Sequence, residues 1–172
     1  IKSGLILCGM RHDTKNVIKV ANLCVEAKDK IIGFDIAGPE LSFPPSLFAE
    51  SFKKVSESGV NITIHAGEGD GVSSIIDALN NGAMRIGHGV RIIEDINNGI
   101  IGPTASKIID LQIPLEICIT SNIHTNMYES YEAHPITSLI DYGFNVYLNT
   151  DNRLMSNTCL LYTSPSPRDT IR

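Results

Sequence analysis

The sequence predicts an α/β protein with a parallel sheet, closed as part of a TIM-type (β/α)8 barrel, and three observations support that fold class. Short apolar runs alternate with stretches of helical period along the chain. Polar groups suited to chemistry stand at the carboxyl ends of several of those runs, where barrel enzymes place their catalytic residues. Finally, no G-x-G-x-x-G or P-loop is present, although an open doubly wound sheet usually concentrates its site at one switch point with such a loop.

The elements follow in order. Leu5-Ile6-Leu7-Cys8-Gly9-Met10 reads as a buried strand, and Asn16 to Lys28 as a helix, with Val17, Val20, Ala21, Cys24 and Val25 near helical period. Ile31 to Ile36 is the second strand. Pro44 and Pro45 precede a helical stretch over about Ser46 to Glu57, and Val60 to Ile64 is the third strand. Helix over Val72–Asn80 and strand over Ala83–Ile86 come next, then helix over Ala105–Asp110 and strand over Pro114–Cys118. Pro135 to Tyr142 is helical and stops at Gly143, and Phe144 to Leu148 is the sixth strand. A complete barrel needs eight strands and about 250 residues. Six strands in 172 residues therefore predict an incomplete barrel over residues 1–158.

Bulk properties narrow the function classes. A hydrophobic fraction of 42% and a charged fraction of 19% are those of a soluble globular protein. A net charge of -5 argues against a nucleic-acid partner. No apolar run approaches the roughly 20 residues of a membrane-spanning helix, and no signal peptide is recognisable, so no membrane partner and a cytoplasmic location are expected. Cys8, Cys24, Cys118 and Cys159 lack C-x-x-C spacing and read as small buried hydrophobes in a reducing compartment.

His65-Ala66-Gly67-Glu68 closes the third strand and is the most informative segment. A neutral imidazole can hold zinc, and a carboxylate nearby can move protons to and from a metal-bound water. His88, in Arg85-Ile86-Gly87-His88-Gly89, and Asp151, in Asn149-Thr150-Asp151-Asn152, close two later strands. Arg11 and Glu116 are candidates for a polar cluster around this site, whereas His12, His124 and His134 are assigned no chemistry.

These segments, together with Leu7-Cys8-Gly9-Met10-Arg11-His12, Phe34-Asp35-Ile36-Ala37-Gly38-Pro39-Glu40 and Leu115-Glu116-Ile117-Cys118 leading to Ser121-Asn122, resemble the adenosine deaminase family of zinc-dependent barrel hydrolases. The resemblance implies hydrolytic deamination of a small molecule, adenosine or deoxyadenosine, in purine salvage, with Zn2+ as the cofactor. It implies His65 and Asp151 as zinc ligands. Glu68 would pass a proton to the purine ring, and His88 would orient the attacking hydroxide. Gly38 would offer backbone hydrogen bonding to the purine, and Asn152 would donate to a ring nitrogen where many members have a second Asp. Adenine deaminase is the alternative within the family, and a barrel acting on another amine or ester is the wider one.

Two departures shape the expectation. The family's first-strand His-x-His pair, which supplies two zinc ligands, does not occur in the chain, and residue 1 corresponds to the family's third strand. The chain by itself is therefore expected to be catalytically incompetent. Residues 159–172, with two Ser-Pro pairs and no periodicity, read as a tail outside the barrel, either disordered or a translated sequencing-adaptor read-through.

Overall fold

The structure, a computed structural model, describes residues 3–159. The expectation for the tail falls almost wholly outside these residues. In chain order the strands are β1 (Ile6–Met10), β2 (Gly33–Ala37), β3 (Asn61–Ala66), β4 (Arg85–His88), β5 (Ile96–Asn97), β6 (Ile100–Ile101), β7 (Leu115–Ile117) and β8 (Val146–Leu148). The helices are α1 (Thr14–Glu26), α2 (Ala49–Glu57), α3 (Val72–Asn80), α4 (Pro103–Asp110), α5 (Ile119–His124), α6 (Ile136–Asp141) and α7 (Arg153–Ser156).

Six strands form one sheet in the order β1-β2-β3-β4-β7-β8, every pair parallel. This is an arc of an α/β barrel, as the alternating elements predict. The remaining two strands form a small antiparallel hairpin inserted between β4 and α4, which the sequence reading did not separate from its surroundings. The helix starts have local causes. The Asp13 side chain caps α1 by accepting from the Asn16 N–H at 3.0 Å. Asp95 plays the same part for α4, accepting from the Thr104 and Ala105 N–H groups while Pro103 supplies the preset first turn.

Each central strand has two chemically different faces. Phe34, Ile36, Ile62, Ile64, Ile86, Leu115 and Ile117 are buried against the helices. Their neighbours in the alternation, Asp35, Thr63, His65, Arg85 and Glu116, lie on the other face, toward the barrel interior. Register sets these residues in rows: Thr63 sits beside Arg85, and His65 beside Gly87, which neighbours Glu116 and then Tyr147. Arg85 Nε meets Glu116 Oε1 at 2.9 Å, neutralising the interior charge between rows. The helix-side core is continuous from Val17 on α1 to Leu139 on α6. Within it the Phe34 and Phe52 rings pack at 5.6 Å and 57°.

The cysteines divide. Cys24 and Cys118 are buried as expected, but Cys8 is exposed. It sits beside Asp35 on β1, an edge strand bonded only to β2 among the described residues, so nothing described covers that face. β8 is the other edge. Apolar groups crowd both edges: Leu5 and Met10 near β1, Tyr147 and Leu148 on β8, and Leu154 and Met155 on α7, with Leu154 94% exposed.

Two outcomes are expected. Phe52→Ala empties a buried site beside Phe34 and should cost about 3–5 kcal/mol, measured by denaturant unfolding. Residues 1–172 expressed alone should self-associate through the two unpaired edges, seen as oligomers by light scattering, whereas a stable monomer would contradict it.

Candidate active site

The carboxyl ends of β3, β4 and β8 converge on one cleft of about 270 Å³, lined by His65, Gly87, His88, Glu116, Cys118, Asn149, Thr150 and Asp151. Ligand atoms of His65, His88 and Asp151 all lie within 4.8 Å of one another. Glu68 joins them, with Oε2 3.5 Å from His88 Nε2. Four residues singled out from sequence are thus brought together. Gly38 and Asn152 do not line the cleft: Gly38 follows β2 at φ +100°, and the Asn152 Oδ1 caps α7 by accepting from the Met155 N–H.

The local backbone explains how short strand ends aim these side chains. His88 and Asp151 have φ of +60° and +51°, the left-handed region in which a side chain costs about 1–2 kcal/mol. Such strain persists where the surroundings over-determine it, and it clusters at functional sites. Gly87 is required for a different reason. A Cβ there would lie 2.9 Å from His65 Nδ1, so only a residue without a side chain lets the imidazole lie across β4. Gly67, at φ +72°, turns the chain so that Glu68 faces back toward His88.

Buried carboxylates that the sequence reading left unassigned hold the segment in place. Asp35 Oδ1 accepts from the His65 and Ile36 N–H groups, and its Oδ2 lies 2.7 Å from His65 Nδ1 in a short but off-line ion pair. Glu40 accepts from three backbone N–H groups, those of Gly67, Glu68 and Asp70. Arg11 is fully buried and spans the carbonyls of Ile36, Phe43 and His65. Its place in a polar cluster is below the strand ends, not in the cleft, whereas Glu116 does line the cleft. From α5, adjacent residues reach the site: Ser121 Oγ donates to Asp151 Oδ2 at 2.7 Å, and Asn122 contacts His88. Asp35 was signalled as the lone acid in the apolar run Phe34-Asp35-Ile36, and both it and Asn122 lie in segments that carry the family resemblance, but neither was given a role from sequence.

Electrostatics separates the titratable groups. Burial works against the His65 imidazolium, but the charge of Asp35 outweighs it and holds the ring's pKa up at about 9. The same negative field favours a cation at its other nitrogen. Burial, and then the neighbouring His65, push His88 down to about 3, so this ring is neutral. Burial raises Glu68, with Asp151 and Glu40 adding to the shift and His65 opposing it, which favours the protonated acid.

The donor set suits a divalent metal of the zinc type. His65 keeps Nε2 for a metal because Asp35 occupies its Nδ1 side, and Asp151 keeps Oδ1 because Ser121 occupies Oδ2.

The family model for adenosine deaminase matches residues 1–165. The chain belongs to the adenosine deaminase family. It is 41% identical over 167 residues to an adenosine deaminase of Mycobacterium ulcerans, covering 93% of this chain and 46% of that protein. It is 42% identical to adenosine deaminase 1 of Streptomyces coelicolor, covering 93% of this chain and 42% of the relative. The chain thus spans under half the length of these curated relatives. Among solved structures, an adenine deaminase from Arthrobacter aurescens superposes with a TM-score of 0.77 at 27% identity, covering 86% of this chain and 44% of that one. The N6-methyl-AMP deaminase of Arabidopsis thaliana matches equally, with a TM-score of 0.77 and 27% identity over 91% of this chain and 45% of that one.

Asp35→Asn keeps an oxygen for the two backbone N–H groups but presents an amide donor or a neutral oxygen to His65 Nδ1. It should weaken zinc binding by the full-length protein at least about 10–100-fold, measured by competition with a chromophoric chelator.

Proposed function

We propose that the full-length protein is a zinc-dependent deaminase that hydrolyses adenosine or deoxyadenosine to the 6-oxo nucleoside and ammonia, in purine salvage. The clustering of His65, His88 and Asp151, with Glu68 against His88, supports this most directly. The substrate preference rests on 41% identity to adenosine deaminases, against 27% to the adenine deaminase of known structure.

His65 and Asp151 would hold the zinc, with further ligands supplied from outside this chain, because a catalytic zinc usually has three protein ligands. When bound, the metal supplies a Lewis acid that brings the pKa of a water molecule toward 7. The chain's own residues do the rest. His88, neutral and buried, orients the attacking oxygen toward the purine carbon that bears the amine. Glu68, its acid form favoured by burial, gives its proton to the adjacent ring nitrogen as the carbon–oxygen bond forms. The carboxylate so formed takes the proton of the newly added hydroxyl and passes it to the amine, the carbon–nitrogen bond breaks, ammonia leaves, and the hydroxyl oxygen becomes the 6-oxo group. Gly38 and Asn152 stand outside the cleft lining of this chain; in the complete site Gly38 would offer its backbone to the purine, and Asn152, its oxygen committed to the α7 cap, would offer its amide NH2 to a ring nitrogen. A cytoplasmic site of action fits Cys8, Cys24 and Cys118 standing as thiols. Among the described residues no helix is long and apolar enough to cross a membrane.

Glu68→Gln preserves size and removes the transferable proton. In the full-length protein it should lower kcat for adenosine by about 10²–10⁴-fold with zinc content unchanged, followed by ultraviolet absorbance and metal analysis. A loss of less than tenfold means that another group delivers the proton.

A further inference from the structure

A chain of buried polar groups leads away from the cleft behind His88. Asn122 is fully buried, and its amide lies between two imidazoles: Nδ2 is 3.0 Å from His88 Nδ1, and Oδ1 is 3.2 Å from His134 Nε2. His134, 5% exposed, packs its ring on Tyr128 at 4.9 Å, and its Nδ1 lies 3.2 Å from the Ile136 backbone N–H. The loop before α6 thus reaches the site through two side-chain contacts in series, and the His134 ring is tied in turn to the backbone at the start of α6.

The direction of every bond in the series follows from its far end. A backbone N–H can only donate, so His134 Nδ1 must accept from Ile136 and carries no proton. The proton of this ring is then on Nε2, which donates to an oxygen. That places Asn122 Oδ1 toward His134 and Nδ2 toward His88. The amide turned by 180° would set an NH2 donor against a second lone pair of His134, leaving that ring with no proton at all. Asn122 Nδ2 therefore donates to His88 Nδ1, and the one proton of a neutral His88 ring sits on Nε2, the nitrogen that faces Glu68.

We propose that Asn122 and His134 are positioning residues that fix His88 as its Nε2–H tautomer, a hydrogen-bond donor into the cleft. The tautomer has a consequence for the metal. With Nδ1 engaged by Asn122 and Nε2 protonated, His88 has no lone pair for a cation, although its atoms lie within reach of one. Of the three clustered groups, His65 and Asp151 are ligands and His88 is a donor to the attacking oxygen. With a metal at its Nε2, His65 would keep its proton on Nδ1 beside the Asp35 carboxylate, so the two rings, 5.2 Å apart, would be opposite tautomers, because one has a carboxylate at Nδ1 and the other an amide NH2. The catalytic consequence rests on the deaminase function proposed above, but the tautomer itself does not.

The test uses the full-length protein labelled with ¹⁵N-histidine, the ring signals of His88 and His134 being assigned by single replacements. Nitrogen–proton correlation spectra read the tautomer directly. Both rings should show a protonated Nε2 and a bare Nδ1 in the wild type. Asn122→Asp, close to isosteric, replaces the donor with an acceptor and should place a proton on His88 Nδ1. It should also lower kcat at least about 100-fold with KM changed only a few-fold. His134→Phe removes only the distal donor, frees the amide to turn, and should give His88 a mixed tautomer; it serves where Asn122→Asp does not fold. A wild-type His88 protonated on Nδ1 overturns the proposal. So does an unchanged His88 spectrum in folded forms of both variants, even with activity lost, because that marks a merely structural role. A wild type with the expected spectrum and no deaminase activity would refute the proposed function alone.

Discussion

The site depends on carboxylates placed where water cannot compete for them. Asp35 is 5% exposed and Glu40 8%; Glu40 spends both oxygens on backbone N–H groups of the segment that carries Glu68, and Asp35 accepts from the His65 and Ile36 N–H groups with one oxygen and faces the His65 ring with the other. A charged acceptor that is buried must be satisfied, or it costs several kcal/mol. Here satisfaction and function coincide, since the groups that neutralise these carboxylates are the peptide units whose side chains face the cleft. Arg11 closes the arrangement by drawing the carbonyls of β2, its following loop and β3 to one guanidinium.

That buried framework explains how left-handed backbone is tolerated at His88 and Asp151. Both side chains are held at a second point, His88 by Asn122 and Asp151 by Ser121, and both partners come from α5. A helix of only six residues therefore ties together the ends of β4 and β8, on either side of β7. The barrel supplies convergence of strand ends, and α5 supplies the orientation that convergence alone leaves open.

Much of the fold was legible in the sequence because hydrophobic alternation and helical period are local signals. All six sheet strands and the helices α1 to α4 and α6 are present, with ends shifted by a few residues. β4 runs on to His88 instead of stopping at Ile86, because pairing with β3 continues through Ala66. The β5–β6 hairpin, α5 and α7 were not separated as elements; each is between two and six residues long, and none has the i, i+3, i+4 apolar spacing that marks the equally short α6 through Ile136, Leu139 and Ile140. Cys8 was expected in the core, and its exposure is a property of an edge strand that no residue run can announce.

The sequence by itself determined which chemical groups the strand ends carry: an imidazole near the end of β3 and a carboxylate after it, an imidazole ending β4, and a carboxylate after β8. It also determined the parallel architecture that gathers them, since both follow from residue type and short-range pattern. Tertiary structure decided what each group can do. His65 meets Asp35 across 30 residues, and His88 meets Asn122 across 34. Whether an imidazole nitrogen holds a lone pair or a proton depends on the partner at its other nitrogen. Only the folded chain brings that partner within hydrogen-bonding distance.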